Sequence, residues 1–261
     1  MQFLLKIKQV FVAKVTLPMM LCLFSLATVA QDRVMLFADP HVLASSLVEQ
    51  GAAMDEMMAG QRKMLDLSEE VFLALVDTAL VHKPALVLIP GDLTKDSEMA
   101  SHNMVAEQLR KLQASGINVL VVPGNHDKCF DGLVSKAQIT EWEMKTNGHL
   151  KILIHDEYDF EYPVSDGIDS LKIFGTPYCT KFGSWSFMVD DEILWRKYAQ
   201  IPDDVDILLS HDSPHINKMG AVLDEDSRFY NPNAGNKILA VNVLRINPLI
   251  FHSGHIHSGN H

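Results

Sequence analysis

The sequence is poor in cysteine and, beyond residue 30, contains no long apolar run, no low-complexity tract and no fixed-period repeat. A stretch of this length and composition without an internal linker, residues 31–261, is expected to form one domain around its own core. The chain has three cysteines, and Cys22 falls in the N-terminal segment. Only Cys129 and Cys179 remain to pair in an oxidising compartment, and the sequence leaves that pairing open.

Basic residues are also scarce, because 22 Lys and Arg stand against 33 Asp and Glu, a formal net charge of −11. The first thirty residues hold three of the lysines and no acid, so the remainder has 19 basic and 33 acidic residues and a net charge of −14. Such a surface repels polyanions, which argues against a nucleic-acid-binding module. A small anionic substrate is not excluded, because bound metal ions can reverse the local field.

The first thirty residues have the pattern of a secretory signal. A lysine-containing start precedes the apolar run VTLPMMLCLFSLATVA, and Thr28 and Ala30 occupy the positions that a signal peptidase prefers. The alternative, a membrane anchor, is disfavoured because the run is short for a span and contains Pro18. We therefore predict a signal peptide over residues 1–30, export to the periplasm or the extracellular space, and no stable membrane span after cleavage.

Five short aliphatic runs each lead into a cluster of polar residues: RVMLFADPH, ALVLIPGD, INVLVVPGNHD, DILLSHD and PLIFHSGHIH. Runs of this kind, bounded by Gly or Pro, are typical of buried strands. Helices are predicted between them for SEEVFLALVDTAL, with Ser68 as its N-cap, for about Ser97 to Ser115, and for DDEILWRKYAQ. This alternation predicts an α/β fold whose polar clusters gather beyond the carboxyl ends of the strands.

The polar clusters offer carboxylate, amide and imidazole side chains. The candidate metal ligands are Asp39, His41, Asp92, Asn125, His211, His255 and His257. This mixture without a thiolate suits Mn, Fe, Zn or Ni. Seven ligands exceed the usual share of one ion, so we predict two divalent or trivalent ions, bridged by the central Asp92. Two ions about 3.5–4 Å apart can hold a hydroxide and neutralise the oxygens of a phosphoryl centre.

In this order, DPH, GDLT, GNHD, SHDSP and GHIH resemble the five sequence blocks of the calcineurin-like metallophosphoesterase superfamily, over most of residues 31–261. The segments LKIFGTPYCTKFGSWSFM, IPDDVDILLSHDSP and INPLIFHSGHIHSGNH are similar to one branch, the MPPED-like phosphodiesterases. The resemblance implies a four-layer α/β/β/α sandwich of the metallophosphoesterase type and a dinuclear phosphoesterase site.

The resemblance also implies a role for each candidate residue. One ion would be held by Asp39, His41, Asp92 and His257, and the other by Asp92, Asn125, His211 and His255. His126 would contact the phosphate and help to protonate the leaving oxygen without binding metal. Its neighbour Asp127 is expected to orient the His126 imidazole, as carboxylates beside working histidines do.

The sequence departs from the family pattern in two places. Relatives usually continue with further strands after the last block, whereas this sequence stops four residues after His257. We therefore expect either that the sheet edge is completed differently or that the chain is truncated. The segment GDLTKD also lacks the arginine that some relatives carry after the shared aspartate, which weakens an assignment to their substrate class.

The aromatic segment TPYCTKFGSWSF has two interpretations. Its rings could stack on a nucleotide base, with Lys181 near the phosphate, or Trp185 and Phe187 could pack a β-hairpin onto the core. Packing is favoured, and Tyr178 and Lys181 are retained as weak substrate-binding candidates.

Together these features predict a metal-dependent hydrolase that cleaves phosphoester bonds through attack by a metal-bridging hydroxide, with diesters slightly favoured over monoesters. The alternative is a non-catalytic metal-binding or scaffold protein on the same fold. That alternative is disfavoured because the ligand set and His126 are all present. A protein phosphatase is also disfavoured, because no long regulatory segment is present.

Overall fold

The computed structural model describes residues 33–49, 51–59, 63–164, 167–223, 225 and 230–256. The predicted signal peptide and the predicted ligand His257 lie outside these residues. Within the described ranges, no helix combines the length and the apolar character needed to cross a bilayer.

The first sheet contains four parallel strands in the order β1-β2-β3-β4. They are β1 (Val34–Leu36), β2 (Leu86–Pro90), β3 (Asn118–Val122) and β4 (Leu150–Ile152). Every residue of β2 and all but the first of β3 are buried, as expected for parallel strands covered on both faces.

The second sheet begins with an antiparallel hairpin, β5 (Asp156–Val164) and β6 (Gly167–Thr176). A short parallel pair, β7 (Cys179–Thr180) and β8 (Met188–Val189), follows in the chain. The strands β9 (Ile207–Ser210) and β10 (Ile250–Ser253) then complete the second sheet in the order β10-β9-β6-β5. The five strands predicted from the aliphatic runs, β1, β2, β3, β9 and β10, are confirmed.

Six α-helices accompany the described sheets. They are α1 (Ala52–Ala59), α2 (Ser68–His82), α3 (Met99–Ala114), α4 (Lys136–Met144), α5 (Asp191–Tyr198) and α6 (Lys237–Ile246). The predicted helices correspond to α2, α3 and α5. The α2 helix ends at His82 because Pro84 cannot continue it, and Lys83 closes the helix in a left-handed conformation.

The prediction that Ser68 caps α2 is wrong. Ser68 is the first helical residue, and its hydroxyl accepts a hydrogen bond from the Leu43 amide at 2.9 Å and donates one to the Leu65 carbonyl at 2.7 Å. A serine side chain can bond to nearby backbone in several ways, and here the preceding 3₁₀ turn selects a partner outside the helix. Ser68 thereby fixes the chain just after the DPH motif.

Three buried apolar clusters separate the sheets and helices. The side chains of the first sheet alternate, so that Val87 and Ile89 face α2 and α3 while Leu86 and Leu88 face the second sheet. On the far side of the second sheet, Leu208 packs with residues of α5 and α6. The mixed α/β class is confirmed. The α/β/β/α order of the layers stays a prediction, and the positions of the three apolar clusters agree with it. Each fully buried Leu or Ile contributes about 1.5–3 kcal/mol relative to exposure.

The register of the parallel strands brings their carboxyl ends to common edges. Pro90 of β2 pairs with Val122 of β3, and Ser210 of β9 pairs with Ser253 of β10. The polar motifs that follow these strands therefore begin side by side, which places donors that are distant in sequence in one region.

A half-buried histidine at the start of the β5–β6 hairpin has a shifted pKa. The ring of His155 contacts the rings of Phe174 and Tyr178, and its Nδ1 lies 3.0 Å from Thr176 Oγ1. Burial, together with the positive charge of Lys197, lowers the pKa of His155 to about 4. The His155 ring of the folded protein therefore becomes protonated at a lower pH than it does in the unfolded chain.

We expect this histidine to destabilise the protein in mild acid. The contribution of neutral His155 is complete above its unfolded pKa near 6.5 and is lost as the pH falls towards about 4, a loss on the order of 1–2 kcal/mol by about pH 4.5. Urea unfolding at about pH 7 and about pH 4.5 should show a smaller decrease in the free energy of unfolding for His155→Asn than for the parent protein. Asn is the chosen replacement because it tolerates the positive φ of 56° at this position. Equal pH dependence in both proteins would exclude this source of acid sensitivity.

Candidate metal centre

Six of the seven predicted ligands converge beyond the strand ends, and the seventh, His257, lies outside the described residues. His41 Nε2 is 3.4 Å from Asp92 Oδ2, and His211 Nε2 is 3.7 Å from Asp92 Oδ1. His211 Nε2 also lies 2.7 Å from Asn125 Oδ1, and its ring centroid is 4.8 Å from that of His255. The centre therefore forms from motifs at both sheets.

Asp92 is the common member of the cluster. Among the described residues, two groups of three donors have ligand atoms within 4.8 Å of one another: His41 with Asp92 and His126, and Asp39 with Asp92 and His211. A carboxylate shared by two groups is the arrangement that a bridging ligand requires. The grouping differs from the division implied by the resemblance, because Asp39 lies with His211 and His126 lies with His41.

Two glycines allow the carboxylates to approach this closely. A Cβ at Gly91, which has a φ of +99°, would overlap Asp39 Oδ1, and a Cβ at Gly124 would overlap Asp92 Oδ1. The GD and GNHD motifs therefore need glycine because the backbone itself forms part of the wall around the carboxylates.

The electrostatic field of the cluster is strongly negative. Burial alone lowers the pKa of His211, but the charges of Asp92 and Asp39 outweigh burial and raise it to about 9. Buried carboxylates are costly unless a cation or hydrogen bonds compensate them. Oxygen and imidazole donors around a shared, buried carboxylate fit hard or borderline metal ions.

Lys63 is a component of the site that the sequence analysis missed. Its Nζ lies 2.7 Å from His41 Nε2, among the acidic side chains. Burial lowers the pKa of Lys63, while the charges of Asp92 and Asp39 act in the opposite direction. No local signal distinguishes this lysine from a surface residue, because it follows an arginine in the polar stretch GQRK.

The ring of His126 is oriented by Asp96. His126 Nδ1 donates to Asp96 Oδ1 at 2.9 Å, its Nε2 lies 4.0 Å from Asp92 Oδ2, and its backbone amide donates to Asp92 Oδ1 at 2.8 Å. Burial raises the pKa of Asp96, but hydrogen bonds from His126 and Lys95 outweigh burial and hold it well below its ordinary range. The second nitrogen of the His126 ring is thereby directed towards the donor cluster.

The orienting role predicted for Asp127 is therefore corrected. Asp127 is fully buried, and its Oδ2 accepts hydrogen bonds from the amides of Leu93 at 3.1 Å and Gly124 at 3.0 Å. Its carboxylate thus bonds to backbone amides, and the imidazole that precedes it bonds to Asp96 instead. Burial and the charge of Asp92 raise the pKa of Asp127 to about 7, against the effect of these hydrogen bonds. Asp127 ties the loop that carries Asp92 to the loop that carries Asn125.

We expect Asp127→Ala to lower the free energy of unfolding by about 2–4 kcal/mol, because buried backbone amides lose their acceptor. Urea denaturation measures this change. The matched control is Asp77→Ala on the exposed face of α2, which should stay within about 0.5 kcal/mol of the parent. A change for Asp127→Ala as small as the control would show that the two loops do not depend on this carboxylate.

The weak substrate candidates lie outside the donor groups in the described structure. Tyr178 packs its ring against His155 and Phe187, and Lys181 forms an ion pair with Asp190 at 3.2 Å. Phe187 is buried, as the packing interpretation predicted. The predicted hairpin is instead the parallel pair β7–β8, and Trp185 contacts the ring of His126 with centroids 4.4 Å apart.

Cys179 is buried and its thiol is free in the structure. Burial raises the pKa of the Cys179 thiol well above its ordinary value, and the charge of Asp212 acts in the same direction. The side chain of Cys129 lies outside the described structure.

Comparison with known proteins identifies one family. The family model described as calcineurin-like phosphoesterase matches residues 32–259. No curated protein sequence matches the chain. The match contains all five strand-end motifs and hence every residue of the candidate metal centre.

Proposed function

Because the chain belongs to the calcineurin-like phosphoesterase family, we propose that it hydrolyses phosphoester bonds with two metal ions held by its Asp, Asn and His side chains. The observation that carries this proposal is the buried Asp92 carboxylate, whose Oδ2 lies 3.4 Å from His41 Nε2 and whose Oδ1 lies 3.7 Å from His211 Nε2. A single shared carboxylate between imidazole and oxygen donors supports two neighbouring ions rather than one.

The residues proposed to hold the ions are Asp39, His41, Asp92, Asn125, His211, His255 and His257. When bound, a pair of such ions stabilises charge on phosphoryl oxygens and lowers the pKa of a bound water. The chain contributes a fixed set of donors, because the glycine turns and Asp127 hold the loops in place.

His126 is proposed to deliver a proton to the leaving oxygen. Asp96 accepts a hydrogen bond from Nδ1 of the ring, so that Nε2 is directed towards the Asp92 carboxylate, 4.0 Å away. The phosphoester bond would be cleaved beside this carboxylate. A protonated Nε2 can then give its proton to the departing alkoxide or phenoxide as the phosphorus–oxygen bond breaks.

Lys63 is proposed to contact a phosphoryl oxygen. The sequence lacks the arginine that some relatives carry after the shared aspartate, and the Lys63 ammonium brings a positive charge to the same cluster. An ammonium group donates hydrogen bonds to phosphate oxygens as a compact point charge.

The finer assignment, a preference for phosphodiesters, rests on the resemblance of three segments to the MPPED-like phosphodiesterases. Export of the protein rests on the signal-like pattern of residues 1–30. The phosphodiester preference and the export are both independent of the geometry around Asp92. Either could be disproved without affecting the proposed metal-dependent hydrolysis.

The experiment that tests the proposed function is metal analysis of the purified protein beside a pair of aryl phosphates. We expect about two ions per chain, and faster hydrolysis of bis(p-nitrophenyl) phosphate than of p-nitrophenyl phosphate when Mn, Fe, Zn or Ni is supplied. Faster monoester hydrolysis would overturn only the diester preference. Full metal occupancy without turnover on either compound would favour the alternative, a non-catalytic metal-binding protein.

A further inference from the structure

The segment between β7 and β8 brings two aromatic rings to the candidate metal centre. Trp185 lies against His126 with ring centroids 4.4 Å apart, and Phe182 lies against His255 with centroids 5.4 Å apart. His126 approaches Asp92 Oδ2, whereas His255 packs on His211, which approaches Asp92 Oδ1. The two rings therefore reach the cluster through different histidines, His126 and His255.

Hydrogen bonds at both ends hold this segment in place. Asp212 Oδ2 accepts hydrogen bonds from the amide and the hydroxyl of Thr180, each at 2.9 Å, and from Asn236 Nδ2 at 2.9 Å. At the other end, the Ser186 hydroxyl donates to Asp131 Oδ2 at 2.9 Å. The aromatic rings are thus presented by a segment with fixed ends, and a ligand that contacts them pays little ordering entropy.

Core packing does not account for the position of Phe182, which is 63% exposed although it touches His255. Trp185 is half-buried, and the Lys128 ammonium lies 5.0 Å from the centroid of its ring. Apolar aromatic surface beside a few convergent polar groups is the composition of a small-molecule site. In this chain the polar groups are the proposed metal ligands and His126.

We infer that Phe182 and Trp185 form a subsite for a planar aromatic group of the substrate, so that the protein acts on phosphoesters of aromatic alcohols or of nucleosides. This inference rests on the proposed function, because it places the phosphoryl group at the metal ligands and the aromatic group against the two rings. Aromatic rings attract one another in offset or edge-on arrangements at centroid separations of about 4.5–7 Å, beyond the effect of buried area alone. A saturated alkyl group of similar size gains only the free energy of burying its apolar area.

The test is the binding of phenylphosphonate and methylphosphonate to the metal-loaded protein, measured by calorimetry. These ligands share the phosphonate and differ in one ring. We expect the parent protein to bind phenylphosphonate about 3- to 10-fold more tightly, and Phe182→Ala to reduce this ratio to about 1–2. Phe182→Leu, which keeps apolar area without a ring, should recover less than half of the preference on a logarithmic scale.

The matched control is Trp195→Ala on α5, which removes an aromatic ring that is 56% exposed and lies outside the β7–β8 segment. This variant should keep the preference of the parent protein. A second pair of ligands, thymidine 5′-monophosphate and ribose 5-phosphate, distinguishes a nucleoside from a simple aryl group. The pair with the larger ratio of affinities, ring-bearing ligand over ringless ligand, identifies the aromatic group that the subsite prefers.

Equal affinity of the parent protein for the two phosphonates, or a ring preference that survives Phe182→Ala, would overturn the inference. Hydrolysis of bis(p-nitrophenyl) phosphate separates this result from failure of the proposed function. Turnover without a ring preference leaves the phosphoesterase proposal intact and removes the aromatic subsite. A ring preference that depends on Phe182, without turnover, supports the aromatic binding subsite but overturns the hydrolytic proposal, and with it the action on phosphoesters.

Discussion

Asp92→Asn should leave less than one metal ion per chain and slow the hydrolysis of bis(p-nitrophenyl) phosphate by at least about 1,000-fold. The effect is large because the two oxygens of Asp92 approach different proposed ligands, Oδ2 beside His41 and Oδ1 beside His211. An amide keeps an oxygen but loses the negative charge, and a neutral group bridges two cations poorly. Metal analysis after gel filtration and initial rates under saturating metal measure the two losses separately.

The substitution is also conservative in shape. The amide oxygen of the new side chain can still accept the hydrogen bond that the His126 amide donates to Asp92 Oδ1 at 2.8 Å, so loss of metal need not reflect loss of folding. Asp77→Asn, on the exposed face of α2, is the control and should retain metal and rate. A variant that kept two ions and at least one tenth of the parent rate would exclude Asp92 as the bridging ligand.

His126→Ala should lower the catalytic rate by about 100- to 10,000-fold, the range expected for a general acid, while leaving metal content largely intact. The His126 ring approaches Asp92 from the side held by Asp96, and the resemblance assigns it no metal-binding role. Loss of the ring removes the proton donor for the leaving oxygen without removing a ligand. The rate should fall less for a substrate with a better leaving group, because p-nitrophenolate needs less protonation than an alkoxide.

Asp96→Asn provides the companion measurement. If Asp96 acts by orienting His126, the double variant that combines Asp96→Asn with His126→Ala should be no slower than His126→Ala alone. The reason is that the effects of residues that act as a unit are not additive. Normal turnover by His126→Ala, or a loss of metal equal to that of Asp92→Asn, would show that its assigned role is wrong.

The five strands and the residues beyond them could be predicted from the sequence because each signal is local. A buried parallel strand reads as a short aliphatic run, and its end is marked by Gly or Pro before the first polar side chain. Asp92 and Asn125 each follow such a run, and they converge because β2 and β3 are parallel and adjacent. His211 follows β9 of the second sheet, so its approach to Asp92 depends on how the two sheets pack. The helix α6 was not predicted, although the Asn236 side chain caps its first turn by accepting a hydrogen bond from Leu239.

The partners of the working side chains could not be predicted in the same way. Sequence proximity favoured Asp127 as the partner of His126, but a tight turn directs consecutive side chains to different sides, and the partner comes from Asp96, thirty positions earlier. Lys63 and Trp185 reach the site through loops whose course depends on tertiary contacts. The Ser186–Asp131 hydrogen bond is one such contact, and it joins residues 55 positions apart.

The backbone amide of His255 donates a hydrogen bond to the Asp39 carboxylate across 216 positions of the sequence. The first and last of the five motifs thus meet at the cluster, and the proposed set of ligands is incomplete until β10 has docked beside β9. The ions would therefore be captured by chains whose two sheets have already come together, rather than by partly folded ones. Since a ligand that binds only the native state shifts the folding equilibrium towards it, metal supply would govern how many newly made molecules persist.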